Sequence, residues 1–290
     1  MHATTRITGW RRVANAMWHA PDDPQIFGAL ELDARPMLAF IERAAASGSR
    51  VTPTHLVGRA VAHALEAVPD LNVQIRRGRV RPRESIDIFF ITAVDKGRDL
   101  SGVKIAKVPD KSVLEVAGEL FARSSAMKQG KDKEFMRTKR LLDSLPAWML
   151  RGALRATAFL TQELQLELPM LALHRSPFGS AMVTSVGMFG LPQGFAPLAW
   201  MYDVPLLVLV GEITERPVVV AHRVEPRPTL PITATIDHRY VDGWHVSRAM
   251  TAFREYLAAP DDFEPRRSAE PAQVARHLEP AQALPPKRTY

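Results

Sequence analysis

The sequence predicts an α/β protein, a two-layer sandwich in which helices flank one mixed main sheet. Helical patterns lie between the early strand patterns, whereas strands follow one another directly in the later part of the chain. Residues Ile86 to Val94 form a near-continuous apolar run, as expected of a strand buried on both faces. This order differs from the regular strand–helix alternation of a doubly wound fold.

The first elements carry clear boundary signals. Residues 27–33 alternate between apolar and polar side chains and predict a strand, after which Asp33 is a candidate N-cap for a helix over 35–47. Gly48 is placed to end that helix. Thr52 and Pro53 open a second helix with proline at its first position, and Pro69 lies close to its end.

The middle of the chain predicts short strands and long helices. Its strands are expected at 72–76, 79–82, 86–94 and 102–108. Asp110 is a candidate cap for a helix over 112–127, and helical patterns continue from about 133 to 164 with a break near Pro146.

The last third reads as strands followed by one helix. Apolar and β-branched runs predict strands at 181–188, 205–213, 218–224 and 230–236, with a turn at Arg216-Pro217. A helix is expected over 243–258. Residues 260–290 are rich in proline, arginine and alanine, which predicts a disordered tail after a domain of residues 1–259.

Composition excludes several classes of site. The chain has no cysteine, so disulfides, thiolate zinc sites and cysteine nucleophiles are ruled out, and a reducing cytoplasm is the expected location. It lacks an apolar run of about 18 residues, so no membrane span is expected. The net charge is +7, and residues 128–140 are strongly basic, but no nucleic-acid-reading motif accompanies them. Neither a metal site nor a nucleic-acid partner is predicted.

The most informative segment is Thr235 to Trp244, which contains His238-x-x-x-Asp242-Gly243 between a strand and a helix. A histidine just beyond a strand is held by a rigid element, and a neutral imidazole can take a proton from a thiol or hydroxyl near pH 7. Asp242 and Gly243 end the turn, and Asp242 can cap the helix that follows.

This segment resembles the Asp-His-Arg-x-x-Asp-Gly signature of the acyltransferase subunits of 2-oxo acid dehydrogenase complexes. That family is in turn similar to chloramphenicol acetyltransferase, which implies a chloramphenicol acetyltransferase-like sandwich. The likeness covers roughly residues 6–258 and includes three further segments, at Arg11–Met17, Ala60–Asn72 and Val183–Gly190.

The resemblance implies a mechanism. His238 corresponds to the family's histidine, which deprotonates the thiol of coenzyme A or dihydrolipoamide for attack on an acyl thioester. Thr184 stands where the family has a serine whose hydroxyl stabilises the oxyanion, and Ser185 lies next to it. Asp242 matches a mainly structural aspartate that pairs with an arginine near the N-terminus, for which Arg11 and Arg12 are both candidates. Family members are trimers with the site between subunits, and the trimers can assemble into cages.

Three features depart from the family. No lipoyl domain precedes the matching region, so a lipoyl group is expected only if another protein supplies it. Residues 130–178 form a longer, more helical insertion that suits a packed helix pair, a lid, an altered acyl pocket, an oligomer contact or a membrane-surface element. Residues 99–104 differ from the family's segment near the coenzyme channel, although Lys104 and Lys107 remain candidates to meet the phosphates of coenzyme A.

Two functions follow from these observations. The first is an acyltransferase acting on acyl-coenzyme A or acyl-dihydrolipoamide, with His238, Thr184 and Asp242 in the site. The second is a non-catalytic trimeric scaffold or cage core of the same fold, whose insertion or tail binds a partner protein. The missing lipoyl arm and the threonine at position 184 favour the second function, whereas the intact His238 and Asp242-Gly243 favour the first.

Overall fold

A computed structural model describes residues 23–94, 99–129, 146–164, 166, 176–199 and 201–264. The strands are β1 (Gln25–Asp33), β2 (Val73–Arg76), β3 (Arg79–Pro82), β4 (Ile88–Val94), β5 (Asp99–Ile105), β6 (Ala181–Ser185), β7 (Leu206–Val210), β8 (Thr214–Val220) and β9 (Arg223–Asp237). The helices are α1 (Arg35–Ala46), α2 (Pro53–Ala67), α3 (Val113–Lys128), α4 (Ala147–Ala158), α5 (Gly243–Ala258) and α6 (Pro260–Phe263). None of the described helices is long and apolar enough to cross a lipid bilayer.

Seven strands form the mixed main sheet in the order β1-β9-β7-β6-β4-β5, with β8 paired to β9, and β2 and β3 form a separate hairpin. The pairs β4–β6 and β6–β7 are parallel, and the other pairs of the main sheet are antiparallel. This arrangement confirms the predicted mixed sheet flanked by helices. β9 is the longest of the described strands. The strand expected at 230–236 is its second half, whereas the strand expected at 218–224 covers the end of β8, the turn and the first two residues of β9.

The inner face of the sheet carries the main core. Side chains alternate along each strand, so Phe90, Val183, Val208 and Ile232 face the same side and pack with the apolar residues of α2, α3 and α5. These inner positions are almost inaccessible to solvent. The helices therefore cover one face of the sheet, which makes the first layer of the sandwich.

The opposite side, the outer face, carries a smaller apolar cluster. Met182 and Leu207 lie there with Phe89, and Val204 and Phe178 pack against them. The chain over residues 191–199 also lies against this face, because Thr233 Oγ1 donates to the carbonyl of Gly194 and Leu198 N donates to Gln25 Oε1 at 2.8 Å. Loops therefore cover this face where helices cover the other.

No turn lies at Arg216-Pro217, where one was expected before a strand at 218–224, and the chain instead reverses inside that expected strand. Pro217 is inside β8, paired with Pro226, and the chain reverses at Ala221 and His222. Both of these residues have positive φ values, 46° and 65°, as a tight two-residue hairpin turn requires. The sequence signal failed because the turn lacks the usual glycine or asparagine.

Two helix caps also differ from the expectation. Asp33 is the last residue of β1, where its carboxylate accepts from Arg35 N at 3.0 Å, and the N-cap of α1 is Ala34. The cap of α3 is Ser112, whose hydroxyl accepts from Glu115 N, and not Asp110. The strand expected at 102–108 is β5, which ends at Ile105.

The ordered chain extends beyond the domain boundary expected at residue 259. Glu264 is buried, and its carboxylate accepts from Tyr256 Oη and from Val113 N, both at 2.6 Å. Arg59 Nε lies 3.4 Å from the same carboxylate. Residues 260–264 thus belong to the core, and the rest of the expected tail, 265–290, lies outside the described residues.

A small apolar cavity remains between the sheet and helices α2 and α5. Its volume is about 100 Å³, and its lining includes Gly28, Ala64, Ala234 and Ala249. Small side chains at these positions leave the space open. A Cβ atom added to Gly28 would meet no atom within 4 Å.

Gly28→Ala is expected to stabilise the protein. The new methyl group fits the open space, and replacing glycine reduces the conformational entropy of the unfolded chain, so the free energy of unfolding should rise by about 0.4–1 kcal/mol. Chemical denaturation of the variant and the parent measures this difference. Gly102→Ala is the matched control in another strand, because its Cβ would lie 2.9 Å from the Phe90 carbonyl oxygen and overlap the Phe89 ring. Equal destabilisation by both variants would contradict the open space at Gly28.

Candidate active site

The candidate site begins where β9 ends. The N–H of Asp237 donates to the Pro205 carbonyl, and the N–H of His238 donates to the Pro24 carbonyl, both at 2.9 Å. The chain then turns, with Tyr240 N donating to Asp237 O at 3.1 Å. His238 is therefore the first residue beyond a strand that is paired on both edges, and its side chain is exposed.

The carboxylate of Asp237 stabilises the turn through hydrogen bonds from Arg239. It is buried, and it accepts from the backbone N–H and from Nε of Arg239, each at 3.0 Å, and from Arg239 Nη2 at 2.6 Å. The resulting hydrogen bonds with Asp237 raise the pKa of Arg239. No described residue hydrogen-bonds the side chain of His238, so the turn positions the backbone of this residue but does not by itself orient the imidazole.

Asp242 caps α5, as the sequence predicts. Its Oδ1 accepts from Trp244 N at 3.0 Å and from His245 N at 3.2 Å, and it lies 2.7 Å from His245 Nδ1. The His245 backbone N–H, followed by its side chain, lowers the pKa of Asp242. Gly243 is the first residue of α5. Arg11 and Arg12, the expected partners of Asp242, lie outside the described residues.

Thr184 and Ser185 end β6 and face opposite sides of the sheet. Thr184 shares its side with the outer cluster residue Met182, whereas Ser185 pairs with Val210 on the inner side. Thr184 is half-buried, and no described residue hydrogen-bonds its hydroxyl. The hydroxyl of Thr184 therefore lies on the outer face of the sheet, and Ser185 points to the inner face.

A close backbone contact shapes the chain after Thr184. Val186 N donates to Val210 O at 2.9 Å, and Gly187 begins a single 3₁₀ turn. A Cβ atom on Gly187 would overlap the carbonyl of Gly211. Glycine at this position lets the turn pack directly on the end of β7, which holds the end of β6 in place.

His238 and Thr184 of one chain lie far apart. Thr184 pairs with Leu209, which pairs with Thr233, and His238 is five residues further along β9. At about 3.3 Å per residue, this separation along the strand alone is roughly 16 Å. One chain therefore does not bring the imidazole and the hydroxyl to the same reacting atom.

The two candidate lysines differ in their contacts. Lys104 Nζ donates to Ser176 O at 2.9 Å and lies 3.8 Å from Asp87 Oδ2, so its charge is partly neutralised within the chain. Lys107 is exposed and adopts a left-handed conformation with φ 52°. Its backbone N–H donates to Asp87 Oδ1 at 3.0 Å.

A buried ionic cluster lies beside the His238 turn, and no pattern in the sequence predicted it. The cluster has Asp203 at its centre and includes Gln74, Arg76, Arg83 and Tyr240. Tyr240 belongs to the recognised motif, but the partners of Asp203 in β2 lie more than 120 residues away in the chain. No local pattern could have joined them.

Residues 147–163 of the expected insertion are helical. α4 continues into a π-helical turn over Phe159–Glu163, and Gln162 Nε2 donates to the Met201 carbonyl at 2.8 Å. Arg77 Nε lies 3.6 Å from Glu163 Oε2. The end of this helix thus contacts the segment that carries Asp203.

Comparison with known proteins identifies the relatives of this chain. The family model of the 2-oxoacid dehydrogenases acyltransferase (catalytic domain) matches residues 2–135 and 173–264. The match is interrupted inside the segment expected to be an insertion and ends at the last residue of the ordered core. The chain is also 26% identical over 211 residues, 73% of its length, to the dihydrolipoyllysine-residue acetyltransferase component of the pyruvate dehydrogenase complex of Haemophilus influenzae.

Solved structures share the fold. The cubic core of a pyruvate dehydrogenase multienzyme complex and the dihydrolipoamide acetyltransferase of Azotobacter vinelandii both match with a TM-score of 0.61. Each match covers 83% of this chain and 84% of the other, at 18% and 19% identity. The Azotobacter structure accompanied an investigation of a serine, a histidine and an asparagine in that enzyme's catalytic mechanism.

The chain spans only 20% to 43% of the length of the curated relatives that it matches. Its match to the family model nevertheless covers more than half of its own residues, including both Thr184 and His238. The chain therefore belongs to the family of 2-oxoacid dehydrogenase acyltransferases, and it corresponds to their catalytic domain.

Proposed function

We propose that this protein is an acyltransferase that moves an acyl group between a thioester and a thiol, with His238 as the general base. The observation that carries the proposal is the exposed His238 at the end of a rigid strand, inside the region that matches the family. The thioester is acyl-coenzyme A or acyl-dihydrolipoamide, and the acceptor is the corresponding thiol.

The chemistry follows from the two side chains. The neutral imidazole of His238 takes the proton of the acceptor thiol, and the thiolate that forms attacks the carbonyl carbon of the thioester. Negative charge then develops on the carbonyl oxygen. The hydroxyl of Thr184 donates a hydrogen bond to that oxygen, as the serine of the family would. The tetrahedral intermediate collapses, the leaving thiolate takes the proton back from the imidazolium, and the acyl group has changed carriers.

Asp242 has a structural part in this proposal. By accepting hydrogen bonds from the first N–H groups of α5, it fixes where the turn after His238 enters the helix. The pairing of Asp242 with Arg11 or Arg12 is also part of the proposal.

The separation of His238 from Thr184 implies a site shared by two copies of the chain. The two groups lie roughly 16 Å apart along one sheet, so His238 of one chain has to meet Thr184 of another. A homotrimer supplies three such sites. One similar structure forms a cubic core, and assembly of these trimers into a larger cage would follow the same plan.

Coenzyme A is the proposed carrier of the acyl group. Its phosphates carry negative charge, and Lys107 offers an exposed ammonium group to meet them. Lys104 is a weaker candidate because it is engaged with Asp87 and Ser176. A lipoyl group would come from a lipoyl-carrying partner protein.

A non-catalytic trimeric scaffold that binds a partner protein is the alternative, favoured by the threonine at position 184. A panel of acyl-coenzyme A donors with dihydrolipoamide as acceptor separates the two functions. Transfer above background establishes the acyltransferase. A folded trimer that transfers no acyl group from any donor would support the scaffold.

His238→Asn should reduce kcat by a factor on the order of 10²–10⁴, because the amide cannot accept the thiol proton. His222→Asn is the matched control, since His222 is also exposed and asparagine tolerates its left-handed conformation. Thioester formation with dihydrolipoamide, followed for both variants, tests the expectation. Equal rates in the two variants would exclude His238 as the base.

Thr184→Val should lower kcat by a factor on the order of 10²–10³, because it keeps the shape of the side chain and removes the hydrogen-bond donor. Thr184→Ser keeps the donor and should stay within a few-fold of the parent. Steady-state kinetics on both variants separates the loss of the hydroxyl from a change in packing. A serine variant as slow as the valine variant would contradict the proposed role.

Mixing the two inactive variants should restore activity. In an oligomer that contains both, Thr184 of the His238→Asn chain meets His238 of the Thr184→Val chain, which completes some sites. The two variants are coexpressed with different tags, mixed oligomers are purified by both tags, and their transfer rate is compared with that of each variant alone. Mixed oligomers that show no recovery would place the whole site within one chain.

A further inference from the structure

Asp203 lies at the centre of a buried ionic cluster next to the His238 turn. Its Oδ1 accepts from Arg76 Nη1 at 2.8 Å, and its Oδ2 accepts from Gln74 Nε2 at 3.0 Å and from Arg76 Nη2. Arg83 Nη2 donates to the Asp203 backbone carbonyl. The side chains of Asp203, Arg76 and Arg83 are all at least 91% buried.

The backbone at Asp203 is fixed as firmly as its side chain. Asp203 adopts a left-handed conformation with φ 54°, and Val204 and Tyr202 on either side pack in the outer cluster. The Tyr202 ring lies edge-on to Phe178 at 4.9 Å. Asp203 therefore presents its carboxylate from a rigid position, held by β2 and by the chain after β3.

Tyr240 joins this cluster to the His238 turn. Its hydroxyl donates to Asp203 Oδ1 at 3.2 Å. Burial, and then the neighbouring Asp203 carboxylate, raise the pKa of the Tyr240 phenol. The phenol therefore keeps its proton near neutral pH and remains a donor to Asp203.

The link through Tyr240 is important because the His238 imidazole has no hydrogen-bond partner among the described residues. Catalytic bases are usually oriented by a third group that hydrogen-bonds to them. Among the described residues no such group contacts the His238 imidazole, and the backbone hydrogen bonds of Asp237 and His238 hold the turn only on its strand side. Tyr240, two residues after His238, holds the other side through its side chain.

We propose that Asp203 and Tyr240 are positioning residues that set the direction of the His238 imidazole through the turn between β9 and α5. Neither residue touches a substrate. The buried cluster is rigid, and the hydrogen bond from the Tyr240 hydroxyl to Asp203 holds the turn against it. This inference rests on the proposed role of His238 as a base.

Tyr240→Phe tests the inference, with Tyr256→Phe as the matched control. Both substitutions remove a tyrosine hydroxyl that donates to a buried carboxylate, but Tyr256 binds Glu264, outside the site. The full-length oligomer is assayed well below the melting temperature of every variant. Tyr240→Phe should lower kcat on the order of 10-fold, with KM for both substrates within twofold of the parent, because misplacing the base slows the reaction and not binding. Tyr256→Phe should lower the melting temperature and leave kcat unchanged.

Crystal structures of the parent and of Tyr240→Phe show the conformation of the His238 side chain directly, and this test does not depend on enzymatic activity. The parent should show one His238 rotamer and the variant a displaced or multiply occupied imidazole, with Asp203 unmoved. An unchanged kcat in Tyr240→Phe, or a loss of kcat equal to that of Tyr256→Phe, would overturn the inference. If the parent transfers no acyl group, the proposed function fails. The crystal structures then decide whether Tyr240 positions His238, and an imidazole that does not move in Tyr240→Phe would refute that role.

Discussion

β9 pairs with β1 along one edge over residues 229–237, and along the other edge with β8 over 223–229 and with β7 over 232–236. Most of the architecture depends on this double pairing. It places β1, the first described strand, beside the last strand of the sheet, and it makes the end of β9 a rigid place from which a loop can start. His238 is the first residue beyond that end, so its position follows from backbone pairing and not from the packing of its own side chain.

The two faces of the sheet differ in what covers them and in the side chains that they carry. The inner face is covered by helices and supplies the large apolar core, whereas the outer face is covered by loops and carries the half-buried Thr184. Because side chains alternate along β6, the hydroxyl of Thr184 faces outward and that of Ser185 inward. The core-facing Ser185 and the outward-facing Thr184 are therefore neighbours in the chain. A shift of one residue in the pairing of β6 would turn Thr184 toward the core and Ser185 toward the outer face.

Local patterns in the sequence predicted the features that local chemistry determines. The helix over Gly243–Ala258 was expected at those bounds because Asp242 is a strong N-cap. The turn at Ala221-His222 was missed, since neither residue is a typical turn former. The choice between Thr184 and Ser185 needed the sheet register. Asp203 was not predicted because an ionic cluster depends on which distant segments the fold brings together, and the sequence does not display that.

Glu264 shows how late in the chain the core is completed. Its carboxylate faces Arg59, whose side chain is 10% exposed and whose Nη1 has no partner among the described residues. A buried guanidinium without a counter-ion is strongly unfavourable, because desolvation of the charge is not compensated. During synthesis from the N-terminus, Arg59 emerges about two hundred residues before Glu264. Arg59 in the middle of α2 and Val113 at the start of α3 therefore gain their final contacts only after residue 264 has been synthesised, so this part of the core is completed late.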